Sequence, residues 1–484
     1  MSFRDLRDFI LSLEARNQLK RITTPVSAEL EITEIADRVS KGPAAGNLAL
    51  LFENVAGSEM PVLINAFGSH ERAALALGVS SLDVLSDKAR SLLAAEVPES
   101  LLGKFRRLGD VLDVVKAQPR LVSHAPCQEV VEREHPSLKG LPVLKCWPED
   151  GGRYITLPLV FTKDPATGRR NLGMYRLQVY DDQTLGMHWQ RHKGGREHQD
   201  DGLRLGRDRL EVAVALGADP ATIYAATAPL PPGIDELLLA GWLRGSGVEL
   251  AKCVSVDLEV PARAEIVLEG YVDLSERRLE GPFGDHTGYY SLPAPYPVLH
   301  LTAVTHRHDA IYPATVVGRP PMEDYWLGKA TERLFLPVLQ LLLPEIVDIN
   351  MPAEGVFHNL VIVSMRKRYP GHVERVLHGL WGLGQMMLAK VIVVVDADVN
   401  VHDLSEVAWR AGNNVDPARD LILAHGPADD LDHASLRPNY GGKLGIDATA
   451  KGPEDGFERP WPNEIRMSEE IKRLVDGKWA TYGL

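Results

Sequence analysis

The chain has 484 residues, and its 66 acidic against 53 basic side chains leave a net charge of −13 at pH 7. No basic run interrupts this acidic balance, which disfavours nucleic acid or an anionic membrane surface as the main partner. Because a single hydrophobic core stops growing at roughly 250–300 residues, two or three domains are expected.

The three cysteines, Cys127, Cys146 and Cys253, lie far apart and form no CxxC pair. This spacing fits a reducing compartment and argues against a disulfide framework or a thiolate metal site. The N-terminus lacks the basic and then apolar pattern of a signal peptide. No apolar run approaches the roughly 18–20 residues that span a bilayer. The sequence therefore predicts a cytoplasmic protein.

Residues 1–120 are predicted to form a small α/β region. Ser2 is a candidate N-cap for a first helix, whose apolar residues recur at helical spacing. These residues are Phe3, Leu6, Phe9, Ile10 and Leu13. A second helix is expected over Leu30–Val39, and the short apolar runs Leu48–Phe52 and Pro61–Asn65 are expected to be strands.

Residues 121–318 change character and carry short β-rich runs between clusters of Gly, Pro and Asp. Strands of this length and density are typical of a barrel or a sandwich. One helix is expected over Ile234–Leu243. The predicted strands are Tyr154–Thr162, Met174–Tyr180, Ala264–Val272 and Val298–Val304.

Pro320-Pro321 marks a break, and residues 319–345 are predicted to form a linker helix. Its apolar part, Leu327–Leu343, contains Pro337, which should kink it. Residues 346–484 alternate strand and helix and indicate a second α/β domain. Its predicted elements are strand Leu360–Ser364, helix His372–Ala389, strand Val391–Val395 and helix Leu404–Ala411.

Several common fingerprints are absent from the sequence. There is no GxGxxG after a strand, no GxSxG elbow and no phosphate-binding Walker loop, since Gly328-Lys329-Ala330 lacks both the upstream glycine and the following Ser or Thr. A plain Rossmann dehydrogenase, an α/β-hydrolase and a P-loop enzyme are therefore disfavoured.

His188 and His192 lie four residues apart, a spacing that places two zinc ligands on one face of a helix. No Glu follows His188, however, and Gly194-Gly195 favours a loop or a strand end, where the two side chains would also share a face. A solvated or hydrogen-bonded polar stretch is an equally good interpretation of these residues.

Arg176 follows Asn171-Leu172-Gly173, a pattern that normally makes a turn. The arginine lies beside a β-type run and could point into a barrel, where it would need a carboxylate or phosphate partner. Glu280 and Asp285 are separated by Gly-Pro and Gly, so a tight turn can aim both acids at one point. Such a pair beside an arginine should titrate apart, with one acid ionised and the other holding a proton for acid–base chemistry.

Two further acidic pairs have simpler interpretations. Asp235-Glu236 begins a predicted helix, where acids usually serve the helix dipole. Asp396-Ala397-Asp398 follows a predicted strand and is more often a loop of an α/β fold than a metal site.

Together, these segments resemble the UbiD family of decarboxylases, in order and over essentially the whole chain. The Glu280–Tyr290 run lies among further matching segments, and they extend from the N-terminus to residue 449. These segments are Met1–Ile35, Leu50–Asn54, Cys146–Asp150, Gly217–Thr222, Ala264–Gly270, Gly318–Pro321 and Gly445–Thr449. The resemblance implies an α/β (α+β) protomer with an N-terminal α/β region, a central split β-barrel like flavin-reductase domains and a C-terminal α/β domain used in oligomerisation.

The resemblance also implies prenylated FMN as cofactor, with Mn²⁺ and a monovalent cation, K⁺ or Na⁺, at its phosphate. Carried over by position, Asn171, His192 and Glu236 would be the metal ligands, a hard set that suits Mn²⁺ better than Zn²⁺. The monovalent cation would lie at the backbone around Ala225, Ala226 and Ala228. The cofactor contacts would be Met174, Tyr175, Arg176, His188, Trp189, Gln190, Lys193 and Gly194.

Glu280 and Arg176 match the family's catalytic ion pair, and Asp285 matches its proton donor. Many relatives have Glu in place of Asp285, so the shorter acid must lie closer to the substrate or act through water. Some quinone-pathway members have arginine in place of His188 and Lys193. Decarboxylation of an sp² carbon needs an electron sink, which a cofactor supplies. We expect Arg176 to orient the substrate carboxylate beside Glu280, and Asp285 to protonate the carbon after CO₂ leaves.

Within the family, the expected substrate is 4-hydroxy-3-polyprenylbenzoate of ubiquinone synthesis, with a prenylated naphthoate of menaquinone synthesis or a small phenolic acid as alternatives. The expected partners are a flavin prenyltransferase, as cofactor source, and further copies of the chain in a dimer-based oligomer such as a hexamer. A polyprenyl substrate would also favour peripheral contact with the inner face of the cell membrane. A non-catalytic flavin-binding module and a metal-dependent hydrolase are alternatives from other classes.

Overall fold

The structure is a computed structural model and describes residues 2–93, 115–190, 194–231 and 233–483. The N-terminal region begins with helix α1, whose residues Leu6, Phe9, Ile10 and Leu13 are buried as their spacing predicts. Its elements are α1 Leu6–Ala15, β1 Leu19–Ile22, α2 Glu31–Lys41, β2 Ala49–Phe52, β3 Val62–Ile64, α3 His70–Ala76 and α4 Asp83–Leu93.

The expected N-cap at Ser2 is wrong. Asp5 caps α1, since its Oδ1 accepts a hydrogen bond of 3.0 Å from the backbone N–H of Asp8. Asp and Ser are nearly equivalent caps, so the helical period alone could not choose between the two positions. Phe3, which precedes the helix, is nonetheless buried and packs against Phe9.

The central region is built mainly of β-strands. They are β4 Arg120–Leu121, β5 Val130–Glu132, β6 Arg153–Ile155, β7 Leu159–Lys163, β8 Arg170–Gly173, β9 Leu177–Val179, β10 Thr184–Met187, β11 Arg209–Leu216, β12 Glu249–Lys252, β13 Glu259–Pro261, β14 Ile266–Glu280, β15 Phe283–Gly284, β16 Tyr290–Ser291, β17 Ala294–His306 and β18 Tyr312–Pro313. Three helices interrupt them, namely α5 Gly194–Arg204, α6 Pro220–Ala225 and α7 Glu236–Arg244.

The principal sheet runs in the order β6-β9-β10-β17-β14-β11-β7-β8, and β5 pairs with β17. Both faces of this curled sheet are buried. On β11, Val212 and Val214 join one hydrophobic core, whereas Ala213 and Ala215 join another. A strand segment covered on both faces is continuously apolar rather than alternating, as Val212–Leu216 of β11 is, whereas Arg209 and Glu211 at the start of the strand are exposed.

Two predicted strands have different bounds in the structure. Tyr154–Thr162 forms β6 and β7 with Pro158 between them, where a missing N–H interrupts strand pairing. Met174–Tyr180 begins too early, because Met174–Arg176 connects β8 at one edge of the sheet order to β9 near the other edge. This connection bridges the curled sheet and places Arg176 at its opening.

The N-terminal sheet has the order β1-β2-β3-β18, so the chain returns to it after the central strands. Helix α8, Glu323–Leu342, then leads to the C-terminal region and contains Pro337. The later elements are β19 Ile346–Asn350, β20 Leu360–Met365, α9 His372–Trp381, β21 Val391–Asp396, α10 Leu404–Asn414, β22 Leu421–Pro427, β23 Tyr440–Asp447 and α11 Glu469–Lys478.

The C-terminal sheet has the order β19-β20-β21-β23-β22, and β20, β21 and β23 are parallel. One core lies between the sheet, α8 and α9, and another lies between the sheet and α10. The predicted helix His372–Ala389 ends at Trp381 and is followed by a short 3₁₀ segment, Gly384–Leu388. The mixed α/β architecture with its curled central sheet confirms the predicted fold class.

Among the residues that the structure describes, no helix is both long and apolar enough to cross a membrane.

Candidate active site

A cavity of about 810 Å³ lies at the opening of the curled sheet. The β8–β9 connection, the start of α7 and the Glu280–Asp285 turn form its walls, and the C-terminal region contributes Phe357, Gln385 and Leu431. Residues from the central and C-terminal regions therefore enclose one space. A concave site with several convergent polar groups is where a small ligand is expected to bind.

The Glu280–Asp285 turn is shaped by its glycines. Gly281 has φ +100° and Gly288 has φ +80°, a conformation that side chains with a Cβ rarely adopt. The peptide bond between Gly281 and Pro282 is cis. β15 follows Gly281 and pairs with β16 beyond Gly288, which folds the segment back so that both acids face the same arginine.

Arg176 lies between the two carboxylates. Its Nε donates to Glu280 Oε1 at 2.8 Å and its Nη2 to Glu280 Oε2 at 3.1 Å, while Nη1 donates to Asp285 Oδ2 at 2.5 Å. Nη2 also donates to Ser291 Oγ at 3.0 Å. The guanidinium lies 4.6 Å from the centre of the Phe283 ring. The sequence predicted a turn that can aim both acids at one point beside an arginine, and in the structure both acids contact Arg176.

The prediction that one of the two acids holds a proton is wrong for this arrangement. Burial opposes ionisation of Glu280, but the His188 hydrogen bond and the Arg176 charge outweigh it and lower the pKa of Glu280 to about 2. For Asp285, burial is likewise outweighed by a hydrogen bond from His286 and by the Arg176 charge, and its pKa lies well below the usual range. Arg176 holds both carboxylates ionised because each has its own contact with the guanidinium.

His188 lies at the end of β10, as its sequence context indicates, and its Nδ1 is 3.0 Å from Glu280 Oε2. Burial and the nearby Arg176 charge lower the pKa of His188, so the ring is neutral and donates through Nδ1. That tautomer leaves Nε2 as a bare acceptor. It is buried and has no hydrogen-bond partner within the described ranges.

Two histidines in the cavity region were not assigned a role from the sequence. His286 Nδ1 lies 2.8 Å from Asp285 Oδ1, and His286 Nε2 lies 3.1 Å from His358 Nε2. The Asp-His adjacency in the turn was a usable signal for His286. No local pattern points to His358, which comes from the connection between β19 and β20. Asp324, at the start of α8, also lines the cavity, and burial raises its pKa to about 7.

Asn171 and Glu236, two of the three predicted metal ligands, both line the cavity. Glu236 Oε2 accepts a hydrogen bond of 3.2 Å from the backbone of Leu172, which ties α7 to β8 beside Asn171. Burial raises the pKa of Glu236 to about 7. His192 lies outside the described residues, and within them no group of three His, Cys, Asp or Glu side chains is placed to hold a metal ion.

Most of the predicted cofactor contacts line the same cavity, namely Met174, Tyr175, Arg176, His188, Gln190 and Gly194. Trp189 instead packs in the hydrophobic core, and Lys193 lies outside the described residues. A Cβ at Gly194 would lie 2.1 Å from Asn171 Oδ1, so only glycine allows this close approach.

Basic side chains and the backbone that follows α6 also line the cavity. Lys163, Arg169 and Arg170 line it, as do Ala226 and Ala228. Ala225, the third residue of the predicted cation site, is buried at the end of α6. A mixture of basic side chains, backbone and the bare His188 acceptor suits a polar, anionic cofactor.

Asp235 and the pair Asp396 and Asp398 have structural roles. Asp235 caps α7 by accepting from Leu237 N at 2.8 Å and pairs with Arg170. Asp396 accepts from Ala450 N at 2.8 Å, and Asp398 pairs with the exposed Arg466. These contacts agree with the simpler interpretations of Asp235 and of Asp396-Ala397-Asp398.

Three domains of one protein family match the chain. Residues 10–92 match the N-terminal domain of 3-octaprenyl-4-hydroxybenzoate carboxy-lyase (UbiD), residues 120–320 its Rift-related domain and residues 325–448 its C-terminal domain. An uncharacterised protein of Archaeoglobus fulgidus is 53% identical over 480 residues, covering 99% of this chain and 98% of that protein.

Two solved enzymes have the same fold. The vanillic acid decarboxylase of Sedimentibacter hydroxybenzoicus is 27% identical, with TM-score 0.86 for its closed form over 100% of this chain and 99% of that one. For its open form the TM-score is 0.80 and the sequence identity is 26%, over the full length of both chains. The UbiD-class enzyme HmfF of Pelotomaculum thermopropionicum, in complex with FMN, is 31% identical with TM-score 0.80 over 98% of this chain and 99% of that one. An evolved dimeric form of HmfF has been solved in complex with prenylated FMN. It is 30% identical to this chain, with TM-score 0.79 over 98% of this chain and 100% of that one.

Proposed function

This chain belongs to the UbiD family of carboxy-lyases, and we propose that it decarboxylates a 3-substituted 4-hydroxybenzoate with prenylated FMN as cofactor. Family membership sets aside a non-catalytic flavin-binding module and a metal-dependent hydrolase. The observation that carries the proposal is Arg176, held between the carboxylates of Glu280 and Asp285 in the cavity wall. This arrangement combines a cation for a substrate carboxylate with an acid–base group beside it.

Arg176 orients the substrate carboxylate. A guanidinium has five N–H groups, and four hydrogen bonds of Arg176 are accounted for by Glu280, Asp285 and Ser291. One N–H on Nη1 therefore remains for the substrate. Glu280 keeps the guanidinium fixed through two bonds, and it stays ionised because His188 and Arg176 both favour its charged form.

Asp285 delivers the proton that replaces CO₂ on the substrate carbon. It lines the cavity, it is fixed by Arg176, and its position at the tip of the turn exposes it to a bound ligand. Because Asp285 is ionised at rest, the proton must reach it within each turnover rather than be stored there.

Prenylated FMN, when bound, supplies the electron sink that a carbanion on an sp² carbon requires. Met174, Tyr175, His188 and Gln190 would contact it, and Lys163 and Arg170, although each also pairs with Glu259, would add positive charge beside its phosphate. The buried, unpartnered Nε2 of His188 fits this assignment, because a polar ligand would satisfy it.

Asn171 and Glu236, with His192, would hold Mn²⁺, and the backbone at Ala226 and Ala228 would hold K⁺ or Na⁺. The oxygen-rich donor set on the cavity wall fits a hard cation. The solved vanillic acid decarboxylase has open and closed forms, and we extend this behaviour to the present chain. The C-terminal region of the present chain, which contributes Phe357 and Leu431 to the cavity wall, would close over the cavity.

Two substrates share the proposed chemistry and differ in size. The matched family carries the name 3-octaprenyl-4-hydroxybenzoate carboxy-lyase. This name favours a 4-hydroxy-3-polyprenylbenzoate of ubiquinone synthesis as substrate. Vanillic acid is 4-hydroxy-3-methoxybenzoic acid, and the likeness to its decarboxylase favours a small phenolic acid. The ring, the carboxylate and the 4-hydroxyl are common to both.

The test is co-expression with a flavin prenyltransferase, followed by an absorbance spectrum and CO₂ release from a graded set of acids. The set contains 4-hydroxybenzoate, vanillate, 3-prenyl-4-hydroxybenzoates of increasing chain length and a prenylated naphthoate. A rate that rises with prenyl length supports the quinone precursor, whereas a maximum at vanillate supports the small acid. Release from the naphthoate alone, or from none of the acids, would contradict the proposal.

Asp285→Asn tests the proton donor in the same preparation. The variant should keep the spectrum of bound cofactor and its metal content, yet lose both CO₂ release and solvent-deuterium exchange into the product. Asp285→Glu restores the acid with one more methylene and serves as the matched control. Full turnover by Asp285→Asn would refute the assignment.

A further inference from the structure

Asp285 has two different partners on its two oxygens. Oδ2 accepts from Arg176 Nη1 at 2.5 Å. Oδ1 accepts from the backbone N–H of His286 at 2.8 Å and lies 2.8 Å from His286 Nδ1. The far nitrogen of the same ring, Nε2, lies 3.1 Å from His358 Nε2. A continuous path of hydrogen bonds therefore runs from Asp285 through His286 to His358.

The positions of the hydrogens follow from the charges around the two rings. Burial disfavours the charged form of His286, but Asp285, Asp324 and Asp429 outweigh it and raise the pKa of His286. Burial and the neighbouring His286 charge lower the pKa of His358 to about 4, although Asp429 and Asp432 oppose this. The two shifts have opposite directions, so of the two rings His286, whose Nδ1 faces the Asp285 carboxylate, is the one favoured to carry the extra proton, with His358 accepting on Nε2.

We propose that His286 stores the proton that Asp285 delivers, and that His358 is the positioning residue that holds His286 in place. This inference rests on the proposed function and assigns the source of its proton. His286 lines the cavity beside Asp285, whereas His358 reaches the site only through His286.

The proton transfer is balanced. The Nδ1–H bond of His286 breaks as an O–H bond forms on Asp285. That O–H bond then breaks as a C–H bond forms at the carbon that lost CO₂. Asp285 returns to its carboxylate and His286 is left neutral with its hydrogen on Nε2. Uptake of one proton from water at Nδ1 resets the pair, so one solvent proton is consumed for each CO₂ released.

The positioning residue comes from the C-terminal region. His358 lies in the connection between β19 and β20, next to Val356 and Phe357, which have φ +52° and +42°. Non-glycine residues rarely occupy this left-handed region, and such strain persists where the surroundings fix it. The ring of Phe357 stacks on His286 with centroids 5.3 Å apart. The proton store is therefore complete only when the C-terminal region covers the cavity.

The first test measures the histidine directly. The full chain, without cofactor, is labelled with [¹³Cε1]histidine and titrated by NMR, and the His286 signal is assigned by its loss in His286→Gln. His286 should titrate above the ordinary histidine value of 6.5. His358→Leu removes the acceptor and should lower this midpoint by about one unit, while His358→Gln supplies an amide oxygen and should restore most of it.

The second test is the pH profile of CO₂ release by the reconstituted enzyme. Since protonated His286 is the active form, activity should fall as pH rises through its pKa. His358→Leu should move this alkaline limb to lower pH and reduce kcat more than it changes KM, and His358→Gln should return the limb towards that of the wild type.

His433→Leu is the matched control. His433 also comes from the C-terminal region and contacts the same turn, since its ring lies 4.2 Å from that of Tyr289, but it does not touch the Asp285–His286–His358 path. This variant should leave the alkaline limb in place.

The proposal is overturned if His286 titrates at or below 6.5, if His358→Leu and His358→Gln behave alike, or if His433→Leu moves the limb as far as His358→Leu does. Failure of the wild type to release CO₂ from any acid would contradict the proposed function instead. The NMR titration would still decide the roles of the two histidines.

Discussion

Replacing Arg176 with methionine should destabilise the protein strongly at neutral pH and much less in mild acid. Methionine keeps a similar length and its apolar stem, but removes the bonds to Glu280, Asp285 and Ser291. Glu280 has no exposed surface, and Asp285 is almost as buried. Loss of the guanidinium would therefore leave two buried carboxylates without a cation.

The magnitude follows from the shift of Glu280. Its pKa is lowered from 4.5 to about 2, and one pKa unit corresponds to about 1.4 kcal/mol, so ionisation of this group contributes about 3 kcal/mol at neutral pH. His188 supplies part of this shift, whereas Asp285 adds a contribution of its own. A loss of about 3–5 kcal/mol is therefore expected at pH 7.5, as is usual when one partner of a buried pair is removed.

The free energy of unfolding should depend on pH with opposite signs in the wild type and in Arg176→Met. A lowered carboxyl pKa gives stability that is present above about 4.5 and is lost as pH falls towards 2. Without Arg176, burial raises both carboxyl pKa values, so the folded variant gains protons and stability as pH falls from about 7 to 5. The difference in free energy of unfolding between the wild type and Arg176→Met should therefore be smaller at pH 5 than at pH 7.5.

The assay is urea unfolding followed by circular dichroism, at pH 7.5 and pH 5. Arg38→Met is the control, because Arg38 pairs with Glu34 on an exposed helix face, 77% and 55% accessible, and should change stability by under about 0.5 kcal/mol. A loss below about 1 kcal/mol for Arg176→Met, or an equal loss at both pH values, would refute the view that Arg176 holds the two acids ionised.

Three further predictions concern the packing of the Glu280–Asp285 turn, the binding of Mn²⁺ and the stability of the wild type at low pH. Gly284→Ala would place a Cβ 2.2 Å from Trp147 Cδ1, so it should cost about 1–3 kcal/mol in thermal unfolding and reduce kcat, whereas Gly46→Ala, with open space around it, should do neither. Glu236→Gln should weaken Mn²⁺ binding at least about tenfold by electron paramagnetic resonance, while Asp235→Asn should retain the metal; equal affinities would remove Glu236 from the ligand set. Wild-type stability should decline as pH falls from about 4.5 towards 2 because the unfolded chain then binds a proton at Glu280 that the folded protein does not, and a flat profile there would contradict its low pKa.

Much of the fold was predictable because its elements have strong periodicity. The buried face of α1 and the parallel strands β20 and β21 lie where their apolar patterns place them. The errors occurred where a local rule had competitors. Asp5 and Ser2 are both good caps, and the run Met174–Tyr180 has β-type residues throughout although it bridges two edges of a sheet. Sheet order is a long-range property that a local pattern does not contain.

The sequence was sufficient to name residues that line the site, but not to predict which of them carry a proton. The Gly-Pro and Gly between them indicate that Glu280 and Asp285 can converge, and the β-type run beside Arg176 indicates that this arginine can point into the barrel. Which oxygen faces which donor depends on the fold, and that geometry leaves both acids ionised and puts the proton on His286. His358 lies 72 residues from His286, so nothing in its own neighbourhood could have placed it there.

The pairing of Arg176 also bears on how the chain is made. Its partners Glu280 and Asp285 lie 104 and 109 residues later in the sequence. At a synthesis rate of roughly 5–20 residues per second, the arginine waits about 5–20 s before either acid leaves the ribosome. During that interval the central strands β14 and β17 are not both complete, so the sheet is unfinished and Arg176 is a cation without its partners. The nascent chain should therefore stay loosely folded, and within reach of chaperones, until the turn that carries both acids has emerged.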